Sequence, residues 1–286
     1  MIDLHTHTTY SDGSFSVREL LREAEKIGLS VLSITDHNKI SAYEELKNPE
    51  IRDLFPGKII TGVEITTAYK GETVEILGYN FDLVKMQSFL DKHVLISEKK
   101  QIKEFELIKA KYRKLGVIFD ETEIQFDPKK RNSRGAFLQE IRKYSENHKF
   151  FLCEESIYDV GKFTRNEVYN PKSLLYVDET SLFPSMETAI DMIHQSGGVA
   201  FLAHIYAYSP NIANELQTIL DTYDLDGLEC FYTTFTKEQS EYLVQLCKER
   251  GLFMSGGSDF HGTVKSHHDL GVGRGNLCIN EDIVLY

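Results

Sequence analysis

The chain has 286 residues and a formal net charge of −12 at neutral pH. This acidic balance argues against a protein that coats nucleic acid, although a small anionic substrate held by metal ions is compatible with it. The sequence has no run of eighteen apolar residues and a polar start, so it predicts neither a transmembrane helix nor a signal peptide. The cysteines (Cys153, Cys230, Cys247 and Cys278) form no C-x-x-C pair, and we interpret them as reduced core thiols of a cytoplasmic protein.

The first part of the chain alternates between strand and helix patterns. Residues 2–5 predict a short strand. Ser16 and Glu19 form a capping-box pattern at the start of an amphipathic helix that ends near Gly28. Residues 31–35 are an apolar run that predicts a second strand. Because parallel strands need a crossover connection, this order indicates an α/β fold with a parallel sheet.

The same pattern continues further along the chain. Thr236 and Gln239 form a second capping box, at the start of a helix that ends near Gly251. Residues 68–72 include a glycine suited to a hairpin turn between two strands. The remaining strands are predicted at residues 58–63, 73–79, 199–203, 227–231 and 252–255.

The middle of the chain has a different character, with little strand pattern. Residues 94–115 predict a long charged helix, a second helix begins near residues 132–135, and residues 163–172 are predicted to form a loop. We interpret residues 89–174 as a mainly helical insertion domain, and residues 1–88 with 175–286 as a barrel domain. The insertion is expected to lie over the C-terminal mouth of the barrel as a lid that contributes side chains to the substrate.

Histidines and carboxylates gather at the predicted ends of the strands. His5 and His7 are two residues apart, so a strand places both imidazoles on one face, where they can converge on one ion. The other residues at or just beyond the carboxyl end of a predicted strand are His37, Glu64, His204, Asp259 and His261. In a barrel-like α/β fold these ends share one edge, which is where active sites form.

These residues and Asp12 offer more ligands than one tetrahedral zinc ion takes. They suit two or three divalent ions that share bridging carboxylates. Nitrogen and oxygen ligands without thiolate fit Mn²⁺, Fe²⁺ or Zn²⁺. Because paired ions can activate water and stabilise a leaving oxygen, the set predicts a metal-dependent phosphoesterase.

The motifs that carry these residues resemble those of the PHP (polymerase and histidinol phosphatase) family, and they occur in the family's order. The motifs are Asp3-Leu4-His5-Thr6-His7 with Asp12, Thr35-Asp36-His37, Gly62-Val63-Glu64, Leu202-Ala203-His204 and Gly256-Gly257-Ser258-Asp259-Phe260-His261-Gly262. The resemblance implies a distorted (β/α)7 TIM-like barrel with a dinuclear or trinuclear metal centre. The ligands that it implies are His5, His7, Asp12, His37, Glu64, His204, Asp259 and His261.

Three further segments resemble one branch of this family, which dephosphorylates nucleoside 3′,5′-bisphosphates and trims short RNA 5′ ends. They are Gly227-Leu228-Glu229, residues 236–239 and Ser133-Arg134. We therefore expect hydrolysis of a phosphomonoester, of a nucleoside monophosphate, a bisphosphate or a short RNA 5′ end, through a metal-bridging hydroxide. The alternatives are a metabolite phosphatase, such as histidinol phosphatase, and a non-catalytic metal-binding interaction module. The complete ligand set argues against the non-catalytic module.

Three residues complete the predicted site. Arg134 is the predicted phosphate clamp, because a guanidinium binds phosphate oxygens bidentately; the alternative is a solvated residue at a helix start. His204, which is not followed by the arginine that relatives often carry, is either a metal ligand or the proton donor to the leaving group. Glu75 stands where many relatives have histidine. Period-two alternation places it on the same face as Glu64, so we predict that it faces the metal centre rather than solvent.

Overall fold

The computed structural model describes residues 1–95, 97–130 and 132–280. The chain divides into two compact units, which we call the barrel unit and the insertion unit. The barrel unit consists of Met1–Val94 and Pro184–Tyr286, and the insertion unit consists of Leu95–Phe183. The predicted helix over residues 94–115 includes residue 96, which lies outside the described residues.

In the part of the chain that the structure describes, seven strands form one sheet in which each strand pairs with the next along the chain. They are β1 (Ile2–Asp3), β2 (Val31–Ile34), β3 (Lys58–Tyr69), β4 (Glu72–Tyr79), β5 (Val199–Leu202), β6 (Gly227–Tyr232) and β7 (Phe253–Gly257). The sheet nearly closes, because the segments that follow β1 and β7 meet. The Leu4 N–H donates to Gly256 O at 3.1 Å, and the His7 N–H donates to Phe260 O at 2.8 Å. The predicted distorted TIM-like barrel of the α/β class is thereby confirmed.

Antiparallel pairing around β4 accounts for the distortion of the barrel. β3 pairs parallel with β2, whereas β4 pairs antiparallel with both β3 and β5. A tight turn joins β3 to β4, with positive φ angles of 48° at Lys70 and 87° at Gly71. The glycine meets no steric penalty there. A hairpin thus takes the place of one helical crossover, and the strict strand–helix repeat is interrupted.

β3 is longer than the sequence indicated, because its pairing with β4 continues to Tyr69. The prediction that Glu64 follows the end of its strand is therefore wrong. Glu64 lies within β3, three residues beyond Thr61, the last β3 residue that pairs with β2. It still reaches the carboxyl edge of the parallel part of the sheet.

The helices of the described residues surround the strands or form the insertion unit. They are α1 (Val17–Lys26), α2 (Ala42–Glu45), α3 (Pro49–Arg52), α4 (Leu83–His93), α5 (Ser97–Leu115), α6 (Ser133–Ile141), α7 (Val160–Phe163), α8 (Met186–Gln195), α9 (Pro210–Ala213), α10 (Leu216–Thr222) and α11 (Lys237–Arg250). Both predicted capping boxes are present, at the starts of α1 and α11. Among the described helices, none has the length and apolar character that crossing a membrane requires.

Two buried hydrophobic clusters stabilise the barrel unit. The smaller cluster fills the barrel interior and includes Leu77 and Tyr79 of β4 with Phe201 of β5. The larger cluster contains residues of the opposite strand faces, such as Ile76 and Leu202, together with residues of α1, α8 and α11. This alternation along each strand is the period-two pattern of a sheet that is covered on both faces.

The insertion unit has its own core, in which α5 and α6 pack through Tyr112 and Phe137. The loop predicted over residues 163–172 is wrong in its first half. Residue Phe163 ends α7, and a π-helical turn follows at Thr164–Val168. Phe163 and Val168 are fully buried in this core, and their burial stabilises helical structure that local composition does not favour.

The prediction of core thiols is correct for two of the four cysteines. Cys230 of β6 and Cys247 of α11 are buried, with their Sγ atoms 3.5 Å apart. Cys153 is only partly buried and Cys278 is exposed, and both lie in segments outside the helices and strands.

Candidate metal centre

Hydrogen bonds between strand ends fix the two histidines of the first motif. Thr6 bridges to Phe260, and its hydroxyl donates to Ser33 O at 2.8 Å. The residues on either side of Thr6 point to the other face, so His5 and His7 both face the interior of the site and are fully buried. The aspartate of the Thr-Asp-His motif has a supporting role, since Asp36 accepts hydrogen bonds from the Thr8 N–H and hydroxyl at 2.8 and 2.7 Å.

Glu64 lies at the centre of the converging side chains. Its Oε2 is 3.3 Å from His5 Nε2, 3.3 Å from His7 Nε2 and 3.1 Å from His37 Nδ1. Two atoms that bind the same ion at about 2.0–2.1 Å are themselves roughly 2.9–3.4 Å apart. The separations around Glu64 therefore match those between neighbouring ligands of a metal ion.

Asp259 approaches the same histidines from the end of β7. Its Oδ1 is 3.2 Å from His7 Nε2 and 3.3 Å from His261 Nδ1. Its φ of 55° lies in the left-handed region, which is uncommon for a residue other than glycine and is often found at functional sites. On the other side of His261, Asp12 Oδ1 lies 3.2 Å from Nε2.

We call this assembly the histidine–carboxylate cluster. Its members are His5, His7, Asp12, His37, Glu64, Glu75, His204, Asp259 and His261. Overlapping groups of these residues, one of which joins His5 and His204 with Glu229, have donor atoms within 4.8 Å of one another. Asp259 belongs to the cluster through its contacts with His5, His7 and His261. The structure thus brings together all nine residues that were predicted as ligands, and their roles as ligands stay a prediction.

Buried atoms of this cluster have no hydrogen-bond partner among the described residues. They are His5 Nε2, His7 Nε2, His37 Nδ1, Glu64 Oε2, His204 Nδ1 and His261 Nε2. An unpaired buried polar group costs about 1–3 kcal/mol, and native proteins contain few of them. Imidazole nitrogens and carboxylate oxygens that face one another without hydrogen bonds are the donors that a divalent ion requires. The residues therefore fit a metal centre.

The carboxylates of the cluster also stabilise positive charge on His5 and His7, whereas burial lowers the pKa of His37 to about 4. Burial lowers the pKa of His7, but its interactions with Asp259 and Glu64 outweigh burial and raise the pKa to about 9. Burial raises the pKa of Glu64, but its interactions with His37, His5 and His204 outweigh burial and hold this pKa well below its usual range.

The register of the β3–β4 hairpin determines where Glu75 lies. Glu64 pairs with Leu77 and Thr66 pairs with Glu75, so the two glutamates are diagonal neighbours on one face. Glu75 Oε2 is 3.4 Å from His204 Nε2. Burial and the negative charge of Glu64 raise the pKa of Glu75 to about 7. Glu75 faces the cluster, and its role as a ligand stays a prediction.

His204 follows β5 in a left-handed conformation, with φ 20° and ψ 53°. Its Nε2 lies 3.0 Å from Glu64 Oε1. Its two predicted roles, metal ligand and proton donor, both stay predictions. In the segment after His204, where relatives often carry an arginine, the hydroxyl of Tyr208 accepts the Glu75 N–H at 2.8 Å.

Arg134 lies in the insertion unit, where two buried carboxylates bind it. Its Nη2 donates to Glu104, and to the two carboxylate oxygens of Glu179 at 3.2 and 3.1 Å. Its Cζ lies 4.5 Å from the centre of the Tyr169 ring. Arg134 is therefore not the solvated residue of the alternative interpretation. Its role as a phosphate clamp stays a prediction. In that role, a guanidinium that already binds two carboxylates would also have to bind phosphate.

Sequence reasoning assigned no role to several residues that contact the cluster, among them Glu229, Lys265 and Tyr232. Glu229 Oε1 lies 2.8 Å from His5 Nδ1. Lys265 Nζ and the hydroxyl of Tyr232 donate to Asp259 Oδ2, at 2.8 and 2.7 Å. Glu229 gave two signals, its place in the Gly227-Leu228-Glu229 segment and a charged residue inside an apolar strand, whereas Lys265 gave none because it lies in a polar loop.

The barrel and its cluster of nitrogen and oxygen donors define the class of protein as a metal-dependent hydrolase built on an α/β barrel. Residues 3–232 match the PHP domain family. The chain belongs to this family, and it is a metal-dependent phosphoesterase that requires divalent ions.

Characterised relatives cover almost the whole chain. It is 32% identical over 267 residues to a 5′-3′ exoribonuclease of Haemophilus influenzae, with 91% of this chain and 89% of the relative covered. It is 25% identical over 281 residues to a 3′,5′-nucleoside bisphosphate phosphatase of Chromobacterium violaceum, with 94% and 90% covered. A solved structure of a presumed metal-dependent phosphoesterase of Bifidobacterium adolescentis matches with a TM-score of 0.61 at 22% identity, covering 99% of this chain and 93% of that one. This structural likeness supports the fold.

Proposed function

We propose that this phosphoesterase hydrolyses the phosphoryl bond at the 3′ oxygen of a nucleotide that carries a 5′ phosphate. The substrates are nucleoside 3′,5′-bisphosphates and the 5′ ends of short RNA. The observation that carries the proposal is the histidine–carboxylate cluster, whose donor set suits phosphate-ester hydrolysis. The choice of a nucleotide as substrate comes from the activities for which the exoribonuclease and the bisphosphate phosphatase are named.

One bond is common to the two activities for which these relatives are named. Removing the 5′-terminal nucleotide of an RNA and removing the 3′ phosphate of a bisphosphate both break the bond between phosphorus and O3′. Water supplies a hydroxyl group to phosphorus, and O3′ leaves with a proton. A site that recognises a 5′-phosphorylated nucleotide can therefore serve both substrates, and it needs no contact with a large nucleic acid.

The cluster divides into groups that would hold the ions. The groups are His5, His7, Glu64 and Asp259 for one ion, Asp12, His37 and His261 for a second, and Glu75 with His204 for a third. When bound, divalent ions make water a better nucleophile and neutralise charge on phosphate oxygens. A carboxylate at position 75 in place of an imidazole favours Mn²⁺ or Fe²⁺ over Zn²⁺.

Exposure indicates the side from which the substrate approaches. The side chains of Asp12 and Lys265 are 54% and 39% exposed, whereas those of His5 and His7 are buried. We assign to the Lys265 ammonium the binding of a substrate phosphate, because a flexible cation beside Asp259 can reach an anion at the open side of the site. It would supply the positive charge that relatives often place after His204.

The test is a substrate panel with matched phosphate positions. Adenosine 3′,5′-bisphosphate, 3′-AMP, 5′-AMP, histidinol phosphate, and a short RNA with and without a 5′ phosphate are incubated with Mn²⁺. We expect the bisphosphate to give 5′-AMP and phosphate, and the 5′-phosphorylated RNA to release nucleoside 5′-monophosphates from its 5′ end. Chelation should abolish both reactions.

Two results of the panel would contradict the proposal. A higher kcat/KM for histidinol phosphate would favour the metabolite phosphatase alternative. Equal rates with 3′-AMP and the bisphosphate, together with equal rates for the two RNA forms, would remove the 5′ phosphate from the proposal.

Replacing Lys265 with methionine should raise KM for the bisphosphate while metal content stays unchanged, since lysine donates to Asp259 from outside the proposed ligand groups.

A further inference from the structure

Glu229 of β6 connects two members of the histidine–carboxylate cluster from its buried side. Its Oε1 lies 2.8 Å from His5 Nδ1, and its Oε2 accepts the main-chain N–H of His204 at 2.8 Å. Glu229 is 1% exposed. We propose that Glu229 is a positioning residue of the metal centre, which fixes the ring of His5 and the backbone of His204 and thereby sets metal affinity.

The contact with His5 determines which of its nitrogens can bind an ion. A carboxylate accepts hydrogen bonds, so the hydrogen between the two groups belongs to Nδ1, and Nε2 offers the lone pair. Nε2 is also the atom that faces the other ligands, at 3.3 Å from Glu64 Oε2 and 3.6 Å from Asp259 Oδ1. Metal-binding histidines are commonly oriented by a carboxylate at the second nitrogen.

The contact with His204 acts on the main chain. His204 has φ 20° and ψ 53°, a sparsely populated conformation for a residue with a side chain, which persists where surrounding contacts hold it. The hydrogen bond from its N–H to Glu229 is such a contact. In this conformation the imidazole reaches Glu64 and Glu75, at 3.0 and 3.4 Å.

The shape of β6 supports this role. The pairing between β6 and β7 shifts register between Glu229 and Phe231, which leaves Cys230 as an extra residue in a bulge. Bulges redirect side chains and often occur beside active sites. Cys230, which neighbours Glu229 on β6, packs into the hydrophobic core that surrounds the barrel. Replacing Cys230 therefore provides a control that disturbs β6 without touching the cluster.

Replacing Glu229 with glutamine tests the double contact. An amide has one oxygen acceptor, whereas His5 Nδ1–H and the His204 N–H each need an acceptor, so the variant loses at least one contact. We expect Glu229→Gln to weaken Mn²⁺ and Zn²⁺ binding by about 10–100-fold. We also expect the visible spectrum of the Co²⁺-loaded protein to change. Cys230→Ala should keep the wild-type affinity and spectrum. Affinity of Glu229→Gln within twofold of wild type would overturn the proposal.

A second measurement needs no variant. In the Zn²⁺-loaded wild-type protein, long-range ¹⁵N–¹H NMR should show a proton on His5 Nδ1 and none on Nε2. A proton-free Nδ1 would overturn the proposal, since Glu229 would then have no hydrogen to accept. The inference rests on the metal dependence of the proposed function, but neither readout involves substrate. Failure of the nucleotide assignment would therefore leave it intact.

Discussion

The barrel unit and the insertion unit each bury a cluster of charged side chains, and the two clusters differ in completeness. In the barrel unit, buried imidazole nitrogens and a carboxylate oxygen of the histidine–carboxylate cluster lack hydrogen-bond partners among the described residues. In the insertion unit, one guanidinium lies between two carboxylates with stacking on an aromatic ring. We call this second assembly the Arg134 cluster, which consists of Glu104, Arg134, Tyr169 and Glu179.

In the Arg134 cluster, both carboxylates pair with the guanidinium, although Arg134 Nε has no hydrogen-bond partner among the described residues. Glu104 is fully buried, and it accepts hydrogen bonds from Arg134, Ser133 and Gln101. The histidine–carboxylate cluster instead presents its unpaired atoms to a common centre. Burial of charge alone does not indicate a metal site. A metal site is indicated by buried donor atoms that converge on a common centre and have no hydrogen-bond partners.

The largest effect that this comparison predicts follows from removing a proposed ligand. Asp259→Asn replaces a charged ligand with a neutral amide, so kcat should fall by roughly 10³-fold or more, because metal ions contribute several kcal/mol to stabilising the transition state. Circular dichroism should show an intact fold. Asp269→Asn, in an exposed position of the same segment, is the control. Near wild-type kcat and metal content for Asp259→Asn would show that the cluster does not bind the catalytic ions.

Breaking the Arg134 cluster should act on stability rather than on metal binding. Arg134→Met leaves Glu104 and Glu179 without their cation, and removing one partner of a buried ion pair typically costs about 3–5 kcal/mol. Urea denaturation measures the loss, and metal analysis should show unchanged content. Arg113→Met removes an exposed pair with Glu121 and should cost no more than about 1 kcal/mol.

The same variant tests the predicted phosphate clamp. If Arg134 also binds substrate, KM for the bisphosphate should rise under conditions in which the variant is folded. An unchanged KM would limit Arg134 to its structural role.

Metal removal should lower the stability of the barrel unit and leave that of the insertion unit unchanged. A ligand present at 100 times its dissociation constant stabilises the folded state by about 2.7 kcal/mol. Chelation should therefore lower hydrogen-exchange protection in β3 and β5, while α5 and α6 of the insertion unit keep theirs. Equal loss of protection in both units would contradict the assignment of the ions to the barrel cluster.

The smallest effect concerns pH. Burial outweighs the charge of Arg134 and raises the pKa of Glu179 from its ordinary value of 4.5 to about 7. Between these values the folded chain retains a proton that the unfolded chain releases, so stability should fall as pH rises from about 4.5 to 7. Urea midpoints measured across this window should show the decline. Glu179→Gln should make the decline shallower without abolishing it, because the pKa of Glu75 is also raised to about 7 and Glu75 contributes over the same pH window. An equally steep decline in the variant would assign it to other groups.

The predictable part of the structure lies in short motifs next to strands. His5 and His7 were placed correctly because a spacing of two residues fixes the face of a strand. Arg134 was less predictable, because its partners Glu104 and Glu179 lie 30 and 45 residues away and only tertiary packing brings them together. Glu75 shows an intermediate case. The sequence leaves two placements of the hairpin turn open, one centred on Tyr69 and Lys70 and one on Lys70 and Gly71, and the observed register selects the second.

The closure of the barrel has a consequence for how the protein is made. The Ser258 N–H donates to Asp3 across 255 positions of the chain, and the ligands proposed for one ion, His5 and Asp259, come from the two sides of this closure. A growing polypeptide carries its first histidines long before the matching aspartate exists, and contacts of such separation form late in folding. We therefore expect the ions to be acquired in their final positions only after nearly the whole chain has been synthesised, so that a prematurely terminated chain cannot become an active hydrolase.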